Sequence, residues 1–435
     1  MGGFVSIVKS EPAVRNETGT SRIEPYSLSR KTLRIAMIGQ KGLPATYGGI
    51  ENHVENLSVG LAQRGHRVTV FCRPYYSADL ANNPQIEKSI NGEYLYKNIN
   101  LQSVRSLKTK HFDAITHSAI SAAIASRTDF DIIHFHGIGP ALLSFVPGLT
   151  GKKVVATVHA LDYRQKKWGW FAKGCLRAGL KSATTFPQKT ICVSQTITDL
   201  LGNCNNLVNI PNGVKDPFVW GKGELEWIMS QGLTPGKYIL FVGRLIEDKG
   251  CHLLCRAVRE IGNGLKLAIA GDSSFTDSYV AELKHIAGNE TIFLGNVYNE
   301  NLSALYANSA LFVLPSSVEG LPIVLIEAMK HRAPVLASDI PENMDVLNSN
   351  DGFLPIGTSF KNGNVQDLKD KINECLSRPR QLNQMVERAI KVVDNDYNWN
   401  NIVKKTEDVY FDVLEKGGHS NSNRENQTGK LSDNL

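Results

Sequence analysis

The chain is 435 residues long, 42% hydrophobic and 21% charged; these globular proportions exclude a largely disordered chain, and the length suits two domains of roughly 180–200 residues. A formal net charge of +6 carries no nucleic-acid signature and suits anionic substrates or an anionic membrane surface. The seven cysteines are odd in number and scattered, no run of ~18 apolar residues occurs, and the first residues lack the basic-then-apolar layout of a signal peptide, so a reducing, cytoplasmic setting is expected.

Residues 1–31 are polar and mixed and read as a disordered tail. Across 32–214, short β-branched runs at Leu33–Gly39, Val68–Phe71, Ile132–Gly137, Val154–His159 and Ile191–Ser194 alternate with helical patterns. One such helix, Glu51–Arg64, places Val54, Leu57 and Leu61 on a single face. The turn-rich stretch from Ile210-Pro211-Asn212-Gly213 to Pro235-Gly236 reads as a hinge. Across 215–398 the pattern restarts with Tyr238–Gly243, a helix carrying Leu253, Leu254, Ala257, Val258 and Ile261, then Leu265–Gly271, Ile292–Gly295, Leu311–Ser316 and Pro334–Ser338. Such βαβ alternation predicts an α/β protein of two tandem Rossmann-like domains facing across a cleft, each a parallel sheet covered on both sides. A last helix over 399–416, with Ile402, Val409 and Val413, is expected to pack back on the first domain, and the Asn/Ser/Gly-rich stretch 417–435 reads as a second tail.

Ligands of doubly wound sheets bind beyond the carboxyl ends of the strands, which singles out certain loops. After the first strand, Gly48-Gly49 stand just before a helix and would let backbone amides approach a phosphate. His159 closes the strand Val154–His159 and is placed to touch a substrate, whereas His134 and His136 alternate out of their strand and are read as structural. Residues 160–185 interleave Arg164, Lys166, Lys167, Lys173, Arg177 and Lys181 with Trp168, Trp170 and Phe171. The last three cations recur every fourth residue, a helical stripe suited to a solvated face, to anionic headgroups or to an acceptor's phosphate. In the second unit Arg244 and Lys249 bring two cations to one strand-end loop, able to neutralise a diphosphate. Glu319 and Glu327 flank Gly320-Leu321-Pro322. Pro322 is expected at the first helical position, leaving Glu319 in the loop and Glu327 in the helix, roughly 8–10 Å apart, with an anion-attracting helix N-terminus between them.

Taken in this order, Tyr47-Gly48-Gly49 with Glu51, the turn His159-Ala160-Leu161-Asp162, Ile210-Pro211-Asn212-Gly213, Gly243-Arg244 with Lys249-Gly250, and Glu319 with Glu327 resemble the motifs of retaining family 4 glycosyltransferases of the two-Rossmann-domain (GT-B) type, from about Leu33 to Glu415. Lys41–Tyr76 and Asp162–Gly169 look like the subgroup that includes rhamnosyltransferases of capsule and exopolysaccharide assembly. The resemblance implies that Arg244 and Lys249 hold a donor diphosphate, Glu327 its ribose hydroxyls, and Glu319 the donor sugar beside the amides of Gly320 and Leu321. Gly48 and Gly49 would line the phosphate side, and His159 would point at the donor sugar, making His159 and Glu319 the catalytic candidates. Tyr47, Arg164, Lys166 and Lys167 fall on the acceptor or membrane side.

The same resemblance implies transfer from a nucleotide diphosphate sugar to a saccharide or polyprenyl-diphosphate-linked acceptor with retained configuration. It implies no metal site and no cofactor beyond that co-substrate, no nucleic-acid partner, and peripheral contact with an anionic membrane at its inner face. A sugar-nucleotide epimerase and a non-catalytic nucleotide-sugar-binding subunit are alternatives on the same architecture. His331-Arg332-Ala333-Pro334 departs from the glycine-containing turn of the family.

Overall fold

The computed structural model describes residues 31–45, 48–77, 83–88, 93–107, 113–164, 169–202, 204–262, 264–272, 277–348 and 354–428, and Leu33–Leu435 form one compact unit. The tail expected over 1–31 lies, but for Lys31, outside the described residues, as do Tyr47, Lys166 and Lys167.

Two sheets carry the fold. The first contains β1 (Arg34–Ile38), β2 (Arg67–Cys72), β3 (Glu87–Lys88), β4 (Tyr94–Tyr96), β5 (Ile99–Ser103), β6 (Ile132–His136), β7 (Lys153–Val158), β8 (Lys189–Cys192) and β9 (Leu207–Asn209), in the spatial order β3-β4-β5-β2-β1-β6-β7-β8-β9. The second contains β10 (Tyr238–Val242), β11 (Lys266–Ala270), β12 (Thr291–Gly295), β13 (Leu311–Leu314), β14 (Val335–Ser338) and β15 (Thr358–Phe360), in the order β12-β11-β10-β13-β14-β15. The pairing is parallel throughout except at β3-β4 and β4-β5. Both sheets reverse strand order beside their first strand, and that switch point opens a crevice at the carboxyl ends.

Side chains alternate across each sheet, so one strand feeds two cores. In β1, Ile35 and Met37 join Val54, Leu57 and Leu61 on one face, while Ala36 and Ile38 join the apolar layer on the other. In β10, Ile239 and Phe241 pack on the helix Cys251–Ile261, and Tyr238 and Leu240 face the opposite way. The strands β3, β4, β5, β9 and β15 went unrecognised in sequence. They lie at or near sheet edges, where one side is solvated, and some are only two or three residues long, which is too short for a period to register.

The helix Trp399–Thr428 crosses to the first sheet. A Cβ at Gly60 would fall 2.5 Å from Val403, so this helix and the helix Gly49–Gln63 touch nearly backbone to side chain. The crossing helix is drawn on through residues 417–428, inside the stretch read from sequence as a second tail. Propagating a formed helix adds one hydrogen bond per residue without a new nucleation step.

The crossing is locked by Glu407, whose side chain is 1% exposed. Its carboxylate accepts from Arg64 Nη2 at 2.9 Å and His66 Nε2 at 2.8 Å. His66 Nδ1 accepts the backbone N–H of Leu33, which leaves the proton on Nε2 and aims it at Glu407. Glu407→Ala is expected to lower unfolding free energy by about 3–5 kcal/mol, because it strands two buried polar partners. Urea denaturation giving a loss under about 1 kcal/mol would show the contact to be a solvated surface pair.

Candidate active site

Five strand-end segments build the site. The loop after β1 is folded by two acids of the following helix. Glu51 accepts from the amide of Lys41 at 3.2 Å, and Glu55 accepts from the amide of Ala45 at 2.8 Å. Gly48 sits at φ 103°, a conformation that strains any L side chain, and its carbonyl starts the helix Gly49–Gln63. Glu51 folds back over Gly48, so an acidic group shares the first turn in which the sequence suggested a phosphate cradle. A Cβ at Gly49 would lie 3.9 Å from Ile323, which places this turn against the second half of the chain.

His159 follows β7 and is 8% exposed. Its Nε2 lies 3.3 Å from Nδ1 of His136, its ring centroid is 4.7 Å from that of His53, and His53 bonds Asn212. Burial pulls the imidazoles of His136 and His159 well below their ordinary range and that of His53 to about 4, so all three are neutral near pH 7. Ring nitrogens of the three lie within 4.8 Å of one another, a spacing compatible with metal ligation that the sequence did not suggest. After burial, the mutual repulsion of the histidines adds to the lowering at His136 and His159. Of the three, His136 and His159 are joined by a hydrogen bond, while Nδ1 of His53 and Nδ1 of His159 are buried without a protein partner among the described residues. His134, by contrast, is spent on Tyr410 and Thr157, both at 2.7 Å, and is structural.

From the second sheet, the loop after β10 is clamped to the loop after β13: the Ser317 amide donates to the Asp248 carbonyl at 2.9 Å. This brings Lys249 Nζ to 2.5 Å from Glu319 Oε1, with the two side chains 17% and 7% exposed. Arg244 is exposed, and its guanidinium has no partner among the described residues. The cations expected to act as a pair are therefore in different states, one held by Glu319 and the other facing solvent.

The turn Glu319–Pro322 meets the first domain at closest range. A Cβ at Gly320 would lie 2.1 Å from the His159 carbonyl oxygen, so residue 320 must be glycine for the two halves to approach this closely. The amides of Gly320 and Leu321 have no hydrogen-bond partner among the described residues, and they lead into the helix Ile323–Lys330, a favourable setting for an anion. Pro322 is the N-cap of this helix, one residue earlier than expected, and its carbonyl accepts from Leu325 and Ile326.

Glu327, one turn into the helix, accepts from the Tyr306 hydroxyl at 3.4 Å. His331 stacks on Tyr306 with centroids 4.9 Å apart, donates from Nδ1 to the Glu327 carbonyl and accepts at Nε2 from Ser303. The departure from the family turn thus braces Tyr306, and the next residue, Arg332, takes the left-handed φ of 61° that a glycine would adopt freely. Burial lifts the Glu327 carboxyl to about 7 against the pull of Tyr306 and Lys215.

Two further contacts span the halves. Asp345 accepts from the amide and hydroxyl of Thr196 at 2.7 and 2.6 Å, and Arg164 approaches Glu342 at 3.6 Å. Burial, with smaller contributions from Glu319 and Asp345, holds the Glu342 carboxyl above its ordinary range despite Arg164. Sequence reasoning missed His53, His136, Tyr306 and Glu342. Glu342 was findable, since it follows β14 at a strand's carboxyl end, whereas the histidines looked like strand and helix residues.

Two family models divide the chain between them. "Glycosyltransferase Family 4" matches residues 47–216 and "Glycosyl transferases group 1" matches residues 226–392. The fold is shared with solved structures. Anabaena HepE in complex with UDP and glucose superimposes with a TM-score of 0.68 at 19% identity, covering 86% of this chain and 98% of that one. Sucrose-phosphate synthase from Thermosynechococcus elongatus gives 0.69 at 19% identity, covering 88% and 100%. Two similar curated proteins are an uncharacterized glycosyltransferase of Methanocaldococcus jannaschii (27% identical, 89% of this chain and 100% of the relative) and a phosphatidyl-myo-inositol mannosyltransferase of Propionibacterium freudenreichii (26%, 81% and 88%). The architecture and the paired models define a glycosyltransferase of the GT-B fold. More particularly, the chain belongs with the family 4-like group 1 enzymes.

This geometry has two measurable consequences. Gly320→Ala is expected to cost about 1–3 kcal/mol by forcing the His159 loop away; an unchanged melting temperature would mean the approach is loose. For Glu327, the folded carboxyl near 7 lies above the ordinary 4.5, so the native state binds the proton more tightly and stability falls as pH rises between those values. Glu327→Gln should therefore be more stable than the parent by about 1–3 kcal/mol at about pH 8, with the difference vanishing near pH 4.5. Denaturant titrations at both pH values would expose a gain that persists in acid, which would contradict the assignment.

Proposed function

We propose that the chain transfers a hexosyl or deoxyhexosyl group from a nucleotide diphosphate sugar to a saccharide acceptor carried on a polyprenyl diphosphate, with retention of configuration, in polysaccharide assembly of the exopolysaccharide or capsule kind. The observation that carries this reading is that Lys249, held by Glu319, and the two unpartnered amides of Gly320 and Leu321 meet at one helix N-terminus against His159, with Arg244 exposed in the same strand-end loop as Lys249. Anionic charge developing on a leaving diphosphate is stabilised by such preorganised donors. The neighbour bound to UDP and glucose and the relative named as a mannosyltransferase support a sugar-transferring chemistry.

In this reading Arg244 and Lys249 neutralise the diphosphate, and Lys249 exchanges part of its bond to Glu319 for phosphate oxygens. Glu319, freed from the ion pair, accepts from the donor sugar hydroxyls, and Glu327 accepts from the ribose. The neutral His159, oriented by His136 and His53, faces the sugar. The anomeric carbon breaks its bond to the diphosphate oxygen and bonds the acceptor oxygen on the same face, while the leaving phosphate takes the acceptor's proton. No metal is required, because the cations and amides supply the positive field; transfer should therefore survive chelator.

Arg244→Ala is expected to weaken nucleoside diphosphate binding by about 1.5–3 kcal/mol, with Glu319→Gln mainly slowing transfer. Calorimetry and a turnover assay, after a thermal-shift survey of UDP-, GDP-, ADP- and dTDP-sugars, separate the two. Unchanged nucleotide affinity in the arginine variant would remove it from the site.

A further inference from the structure

Three histidines from three segments meet beside the candidate site: His53 in the helix Gly49–Gln63, His136 at the end of β6 and His159 just beyond β7. They are 5%, 0% and 8% exposed, and a ring nitrogen of each lies within 4.8 Å of the other two. Hydrogen bonding inside the cluster uses only part of these nitrogens. His136 Nδ1 and His159 Nε2 are 3.3 Å apart, while Nδ1 of His53 and Nδ1 of His159 are buried without a partner among the described residues. A buried ring nitrogen left unpartnered carries its desolvation cost uncompensated, so the cluster has donor capacity to spare. The 3.3 Å separation also matches the edge of a tetrahedron whose metal–nitrogen bonds are ~2.0–2.1 Å. A proton shared by two rings and an ion held by both thus call for the same spacing. Burial keeps the three imidazoles neutral, the form that offers a lone pair to a metal. On its far side His136 Nε2 lies 3.4 Å from Met37 Sδ, a contact that keeps the proton there and turns Nδ1 toward the cluster.

We propose that His53, His136 and His159 bind one zinc ion, and that this ion inhibits the chain and takes no part in transfer. An all-imidazole donor set selects zinc and its neighbours among the transition metals over magnesium and calcium, which take oxygen ligands. Three imidazoles leave the fourth tetrahedral position to a water. His159 retains the most exposure of the three and marks the side on which ion and water enter. For its effect on turnover the inference rests on the transferase reading above, in which a neutral His159 faces the donor sugar. A ring committed to an ion has spent its lone pair and carries positive charge into that position. Lys249, Arg244 and the Gly320 and Leu321 amides belong to the second domain and are outside the ligand set, so zinc should slow transfer while nucleotide binding persists.

The test is calorimetry with zinc chloride and with magnesium chloride on the full chain, stripped by chelator and free of any polyhistidine tag. Expected is one zinc per chain, bound at least about ten-fold tighter than magnesium, and a cobalt(II)-loaded sample with the intense visible absorption of four-coordinate geometry. His53→Ala and His136→Gln should each weaken zinc binding by about 100-fold or more, beyond what loss of an outer partner costs, with the melting temperature reporting on the fold. His285→Ala, at an exposed position of another helix, should bind zinc as the parent does. Saturating zinc should slow transfer about ten-fold or more, and chelator should restore it. Zinc bound no tighter than magnesium, a six-coordinate cobalt spectrum, or folded His53 and His136 variants that bind like the parent would overturn the proposal. Should a variant fail to fold, the stoichiometry and cobalt spectrum of the parent decide. A chain that binds zinc but no nucleotide sugar would sink the transferase reading and leave the metal site standing. One that transfers sugar and binds no zinc would do the reverse, so the two failures are distinguishable.

Discussion

Everything at the candidate site depends on the contact between residue 320 and the His159 carbonyl, where two sheets meet almost backbone to backbone. A methyl group at residue 320 would sit 2.1 Å from that oxygen, so the approach exists only because the position has no side chain. From that seam the other elements take their places. The Gly48-Gly49 turn lies against Ile323, Glu319 lies beside Lys249, and Thr196 and Arg164 reach the acids of the helix Pro341–Leu347.

The charge arrangement along the seam has a common logic. Acidic groups on the second-domain side are either paired, as Glu319 with Lys249, or held toward protonation by burial, as Glu327 and Glu342. The histidines opposite are held neutral for the same reason. Low exposure thus keeps these groups from adding net charge to the seam, while Arg244, in the loop after β10, is exposed. The Lys249–Glu319 pair adds a switch-like element, since neither partner can engage a ligand fully without loosening the other.

Much of the fold was legible because its signals are local. The strands β1, β2, β6, β7 and β8 and their counterparts β10, β11, β13 and β14 are runs of mostly buried apolar residues, β12 is an apolar but half-buried run, and the helices between them keep one apolar face. Turn chemistry marked Gly48-Gly49, Gly320 and Pro322. Of the strands at or near the edges, β3, β4, β9 and β15 escaped notice for want of length, whereas the five-residue edge strand β12 was read. The boundary at Pro322 slipped by one residue because its carbonyl, rather than its ring, opens the helix.

The amino-acid sequence by itself determined two βα repeats and the kinds of residue at their strand ends: a glycine pair, a histidine, an arginine with a lysine, and two spaced glutamates. Hydrophobic period and turn preference act over a few residues, and those are the distances at which a sequence can be read directly. Only the tertiary structure decided that Lys249 binds Glu319, that His53 and His136 surround His159, and that His331 braces the Tyr306–Glu327 contact. These meetings join residues on separate elements, many of them distant in the chain. Which of them touch is set by the angle at which the helices and sheets pack, a quantity summed over the whole core.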